Sequence, residues 1–142
     1  MIRAFVDASV LYAALVSTSG ASRELLRRHV SGQIELVVSP YVLEETRRNL
    51  AAKQPDKTGV IDLLLDVIDL KLVDATAEAI KDAAQYTTLK DAPVVAAARA
   101  GGCDYLLTFD KKHLLGNALV ATQSGSRIIT PGDLIQHLRK QE

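Results

Sequence analysis

Residues 104–110 read Asp104-Tyr105-Leu106-Leu107-Thr108-Phe109-Asp110, and the fold follows from how that stretch is read. A short apolar run bounded by acids is too short for an amphipathic helix and suits a buried strand. Just upstream, residues 91–100 are rich in Ala, the best helix former, and close on Gly101-Gly102, a helix stop. A helix running straight into a buried strand is half of a βαβ unit.

Outward from there the same alternation repeats. Residues 2–6 form an apolar run ending in Asp7-Ala8-Ser9, a buried strand followed by a helix over 9–16. A second helix spans 21–30, with Leu25 and Leu26 on one side and Arg23, Arg27 and Arg28 on the other. Residues 34–38 are a strand by β-branched content. Ser39-Pro40 then supplies an N-cap and first helical position for a helix through Lys53, ended by Pro55. A helix over 58–67, a strand over 70–73 and a helix over 76–86 follow. Residues 116–126 read as a mobile loop, and 127–129 as a fifth strand. Thr130-Pro131-Gly132-Asp133 opens a last helix. Strands alternating with helices predict an α/β fold: a three-layer α/β/α sandwich around a mostly parallel sheet of about five strands. No repeat, low-complexity tract or linker breaks the 142 residues, which suit one domain.

Hydrophobic residues make up 48% and charged residues 24%, enough for a core without disulfides. Cys103 is the only cysteine, so no intrachain disulfide forms, and beside Gly101-Gly102 it reads as a small packed residue. Met1 to Asp7 meets an acid before any signal-peptide core, and no apolar run reaches the roughly 20 residues of a membrane span; the expected location is the cytoplasm. The balance of 17 basic and 17 acidic residues argues against a non-specific nucleic-acid coat, and the lack of Trp against a base-stacking platform.

Acids, however, fall where a ligand would bind. Open α/β sheets bind ligands beyond the carboxyl ends of their strands. Asp7 and Asp110 each follow an apolar strand and belong on that edge, and Asp91, at the start of the helix preceding 104–109, faces it too. After the second strand, Val42, Leu43, Thr46 and Leu50 mark the buried stripe at about 100° per residue. Glu45 lies nearer its margin than Glu44, which is set to pair with Arg48 at i,i+4. Four carboxylates within a few ångströms would repel unless a cation neutralised them. His29, His113 and His137 are scattered and no Cys is spaced for a metal. An all-oxygen site suits Mg²⁺ or Mn²⁺ rather than Zn²⁺.

The order strand-Asp7-Ala8-Ser9, Ser39-x-x-Val42-Leu43-x-Glu45, Lys90-Asp91-Ala92-Pro93-Val94, then Asp104-Tyr105-Leu106-Leu107-Thr108-x-Asp110 resembles the PIN-domain family. It looks closest to the bacterial and archaeal branch of VapC-like toxin ribonucleases. The likeness spans Asp7 to Asp110, and the closing strand and helix over 128–138 fit it. It implies Asp7, Glu45, Asp91 and Asp110 as an acidic metal site, with Thr108 and Ser9 as hydroxyls orienting the acids or metal-bound water. It further implies Mg²⁺- or Mn²⁺-dependent hydrolysis of RNA, a cognate antitoxin protein and a homodimer.

Plainer readings stand beside these. Asp91 and Asp7 could be N-caps, Asp110 a turn residue, Glu45 a solvated helix acid and Asp104 the turn that opens its strand. Lys111-Lys112-His113 could approach substrate phosphates, although a charge run is more often a solvated face; Arg23, Arg27, Arg28, Arg47 and Arg48 share that ambiguity. Two rival functions remain: a phosphotransfer protein, and a PIN-like RNA- or protein-binding module without chemistry. An aspartyl phosphatase needs a second Asp two positions after Asp7, where Ser9 stands, and the paired acids a receiver needs near the first strand's end are also missing.

Overall fold

The computed structural model describes residues 1–142. Five strands, β1 (Arg3–Val6), β2 (Glu35–Val38), β3 (Lys71–Leu72), β4 (Tyr105–Leu107) and β5 (Arg127–Ile129), form one sheet in the order β3-β2-β1-β4-β5. Every pairing is parallel. The expected α/β sandwich is therefore present, with a sheet that is wholly parallel. Strands buried on both faces read as continuous apolar runs. Accordingly Phe5, Leu36, Val37, Leu106 and Leu107 are essentially inaccessible.

The helices divide into two groups. On one face α1 (Ala8–Val16) packs against α2 (Ala21–Val30) and α3 (Pro40–Lys53), α2 also meets α8 (Pro131–Lys140), and α4 (Thr58–Ile68) leans on α2 and α3. On the other, α5 (Ala77–Ala83) packs on α6 (Ala92–Ala100), and α6 on α7 (Ala118–Ser124). Ser39 caps α3 by accepting the Val42 amide at 3.2 Å, and Thr130 caps α8 at 3.1 Å, each with a proline in the first turn.

Two departures from the sequence reading are plain. The loop expected over 116–126 contains α7, started by the Asn117 side chain on the Val120 amide at 3.1 Å and stopped by Gly125 at φ 73°. At seven residues it is too short to show a helical period. β3 is only two residues long and exposed, an edge strand with little to bury. No helix is long and apolar enough to cross a membrane.

The strand order also fixes where a ligand site can form. The chain steps outward from β1 through β2 to β3, then returns to place β4 on the other side of β1. The β1–β4 seam is thus the topological switch point, where a crevice opens at the carboxyl ends of the strands.

Candidate active site

Register carries Asp7 and Asp110 to that crevice. Phe5 pairs with Leu106 and Val6 with Leu107, and the Asp7 amide still donates to the Leu107 carbonyl at 3.2 Å. Asp7 leaves β1 as the N-cap of α1, its Oδ1 accepting from the Val10 amide at 3.0 Å and from the Ser9 hydroxyl at 2.7 Å. Its Oδ2 accepts from the Thr108 hydroxyl. Thr108 is fully buried, and its oxygen also accepts the Asp110 amide at 3.0 Å. Burial pushes the Asp7 carboxyl above its ordinary range, against the opposing pull of the bonds from Thr108, Ser9 and Val10.

Asp110 caps the turn after β4: its Oδ1 accepts the amides of Lys112 and His113, both at 3.0 Å. Asp91 precedes α6 but makes no capping bond with its side chain, which removes the plain N-cap reading. The Thr88 hydroxyl instead accepts the Asp91 amide at 3.1 Å and donates to its Oδ2 at 2.9 Å. Asp91 is 8% exposed, so Thr88 fixes a largely buried acid.

On α3, Val42, Thr46 and Leu50 are buried, Glu45 is half-buried and Glu44 is exposed, paired with Arg48 at 3.5 Å. The helical phase therefore turns Glu45, not Glu44, toward the crevice. Tyr41, one turn before Glu45, donates to the Lys90 carbonyl across 3.5 Å. Burial, then the adjacent Glu45 charge, raises its phenol above the ordinary value.

Asp7, Glu45, Asp91 and Asp110 all line one cavity of about 250 Å³, together with Ser9. Thr108 lies behind Asp7. Asp104 is elsewhere: it sits at the opposite edge of the sheet, accepting the Arg3 amide at 2.9 Å. Thr88 and Tyr41 escaped the sequence reading, although Thr88-x-x-Asp91 has capping-box spacing and Tyr41 lies at i−4 to Glu45.

The gathering is looser than expected. No three of the chain's His, Cys, Asp and Glu side chains form a compact set around one point. The reason is local: Asp7 is tied to Ser9, Val10 and Thr108, Asp91 to Thr88, and Asp110 to its own turn. The donor chemistry still fits a hard divalent cation. Mg²⁺ is commonly held by only one or two carboxylates and keeps several waters. One oxygen on Asp91 and one on Asp110 accept no hydrogen bond from the protein.

The PIN domain profile matches residues 3–112, and the chain belongs to the PIN-domain family. No curated protein matches it. Among solved structures, Mycobacterium tuberculosis VapC20, a toxin that cleaves the sarcin-ricin loop, is similar with a TM-score of 0.58 and 19% identity, over 77% of this chain and 91% of that one. VapBC2 of Rickettsia felis, bound to a DNA fragment from its promoter, has a TM-score of 0.63 and 13% identity, over 89% and 97%. FitAcB of Neisseria gonorrhoeae has a TM-score of 0.60 and 14% identity, over 90% and 97%. At such identities the likeness speaks to the fold, which they share with this chain.

Proposed function

We propose that this PIN-domain protein is a Mg²⁺- or Mn²⁺-dependent endoribonuclease, acting in the cytoplasm as the toxin of a toxin-antitoxin pair. The observation that carries the reading is the shared cavity at the β1–β4 seam, lined by four carboxylates from four separate segments of the chain. Membership of the PIN family supports nuclease chemistry. The likeness to VapC20 and VapBC2 supports RNA as substrate and an antitoxin as partner. A homodimer belongs to the same proposal.

Asp7, Asp91 and Asp110 would hold the ion directly or through water, with Glu45 completing the acid ring. When bound, such an ion activates water for in-line attack on phosphorus and offsets charge on the leaving oxygen. The protein's own part is orientation. Ser9 and Thr108 hold both oxygens of Asp7, so that carboxylate presents one fixed face to the cavity. Thr88 holds one oxygen of Asp91 and leaves the other free. The Ser9 hydroxyl is committed to orienting Asp7, and no side-chain nucleophile is required.

The test is cleavage of RNA by a clean preparation with Mn²⁺ present. Asp7→Asn should abolish it while leaving the fold intact; undiminished cleavage by that variant overturns the proposal. A second reading, a PIN fold retained for binding alone, draws on the lack of a compact three-ligand set. Calorimetric titration with Mn²⁺ separates them: a binding module shows no saturable site.

A further inference from the structure

The acid cavity has a basic rim. Lys90, Lys112 and His113 line the same cavity as the four carboxylates, and all three are exposed. None takes part in any of the chain's ion pairs, even with acids so near. Their backbones are nonetheless fixed. The Lys90 carbonyl accepts from Tyr41 on α3, and Lys90 adjoins Asp91. The amides of Lys112 and His113 are pinned to the Asp110 carboxylate. One lysine thus rises from the wall built by α3 and α6, the other from the wall built by the turn after β4. Lys111, between Asp110 and Lys112, does not line the cavity.

A nucleic-acid strand is a row of phosphates, and a floor of carboxylates repels every one of them. The phosphate entering the cavity needs a cation on the floor, and its neighbours along the strand need cations at the rim. Lysine ammonium groups act as point-charge phosphate binders on flexible stems. We infer that Lys90 and Lys112 grip the phosphates on either side of the one that enters the acid cavity, with His113 beside Lys112 on the same side. The grip deepens the nuclease reading and rests on it for the identity of the strand. It makes the substrate a polyanion reaching beyond the cavity on both sides, not a dinucleotide.

The experiment uses the full chain with Ca²⁺, a hard cation that takes oxygen ligands, supplied for the cavity floor, and a fluorescein-labelled single-stranded oligouridylate read by fluorescence anisotropy over a range of KCl concentrations. Lys90→Ala and Lys112→Ala should each weaken binding roughly three- to tenfold and flatten the log–log salt slope by about 0.7 per lost contact. Lys111→Ala should bind like the wild type. The grip is overturned if the slope is unchanged in Lys90→Ala or in Lys112→Ala. It is equally overturned if Lys111→Ala weakens binding as much as Lys112→Ala, the mark of a diffuse basic face. Adding Mn²⁺ to the wild type with the same oligonucleotide keeps the two ideas apart. No cleavage alongside the predicted slope changes rejects the nuclease and upholds the grip, whereas cleavage with unchanged slopes rejects the grip alone.

Discussion

The hydroxyl of Thr108 donates to the carboxylate of Asp7 across 101 residues of sequence. The same oxygen accepts the Asp110 amide at 3.0 Å, so one buried side chain sets the position of two cavity acids. Thr108→Val keeps the shape but leaves an Asp7 oxygen and the Asp110 amide unpaired. It should cost about 1–3 kcal/mol of stability by urea unfolding and lower metal-dependent cleavage about 10- to 100-fold. Thr108→Ser, which keeps the hydroxyl, should recover most of both.

Asp7 itself stands at a conflict between stability and chemistry. Burial raises its folded-state pKa above the ordinary 3.8, so the folded chain holds this proton more tightly than the unfolded chain. The stability tied to that proton is fully present below 3.8 and is lost as pH rises through the raised value. At neutral pH without metal the ionised carboxylate is therefore a burden. Asp7→Asn should melt higher than the wild type by calorimetry in EDTA at neutral pH, with the gap closing as pH falls toward 3.8. A lower melting temperature for the variant would contradict this.

The two adjacent glutamates of α3 separate cleanly. Glu45 lines the cavity, whereas exposed Glu44 pairs with Arg48 at 3.5 Å. Glu45→Gln should lower cleavage by at least about tenfold. Glu44→Gln should leave it within about twofold and change stability by less than about 0.5 kcal/mol. The opposite pattern would transfer the role to Glu44.

Cys103 offers a reporter remote from the site. It is 3% exposed, and burial pushes its thiol up to about 11. Because thiolate is the reactive form, labelling by Ellman's reagent at mildly alkaline pH should be slow and should follow the rate of unfolding. Immediate stoichiometric labelling of the native protein would show that the thiol is open.

How much of the fold and the site could be read in the sequence depends on the kind of signal. Asp7 and Asp110 were legible because each ends an apolar run, and a parallel sheet gathers such ends on one edge. Glu45 was legible because Val42, Thr46 and Leu50 fix the phase of α3. Strand order was not, since nothing in local composition says that β4 returns beside β1. Nor was the looseness of the acid set, which arises from short-range bonds such as Thr88 to Asp91. α7 was missed because seven residues hold too few turns to show a period, although Asn117 and Gly125 mark its ends.

The adjacency of β1 and β4 has a consequence for synthesis. Half of the acid pocket is made at the start of the chain and the other half some hundred residues later. A nascent chain still on the ribosome, or a fragment released before Asp110, carries no assembled pocket however well its first strands and helices form. The seam therefore gains its full set of acids only when Asp110 has been added.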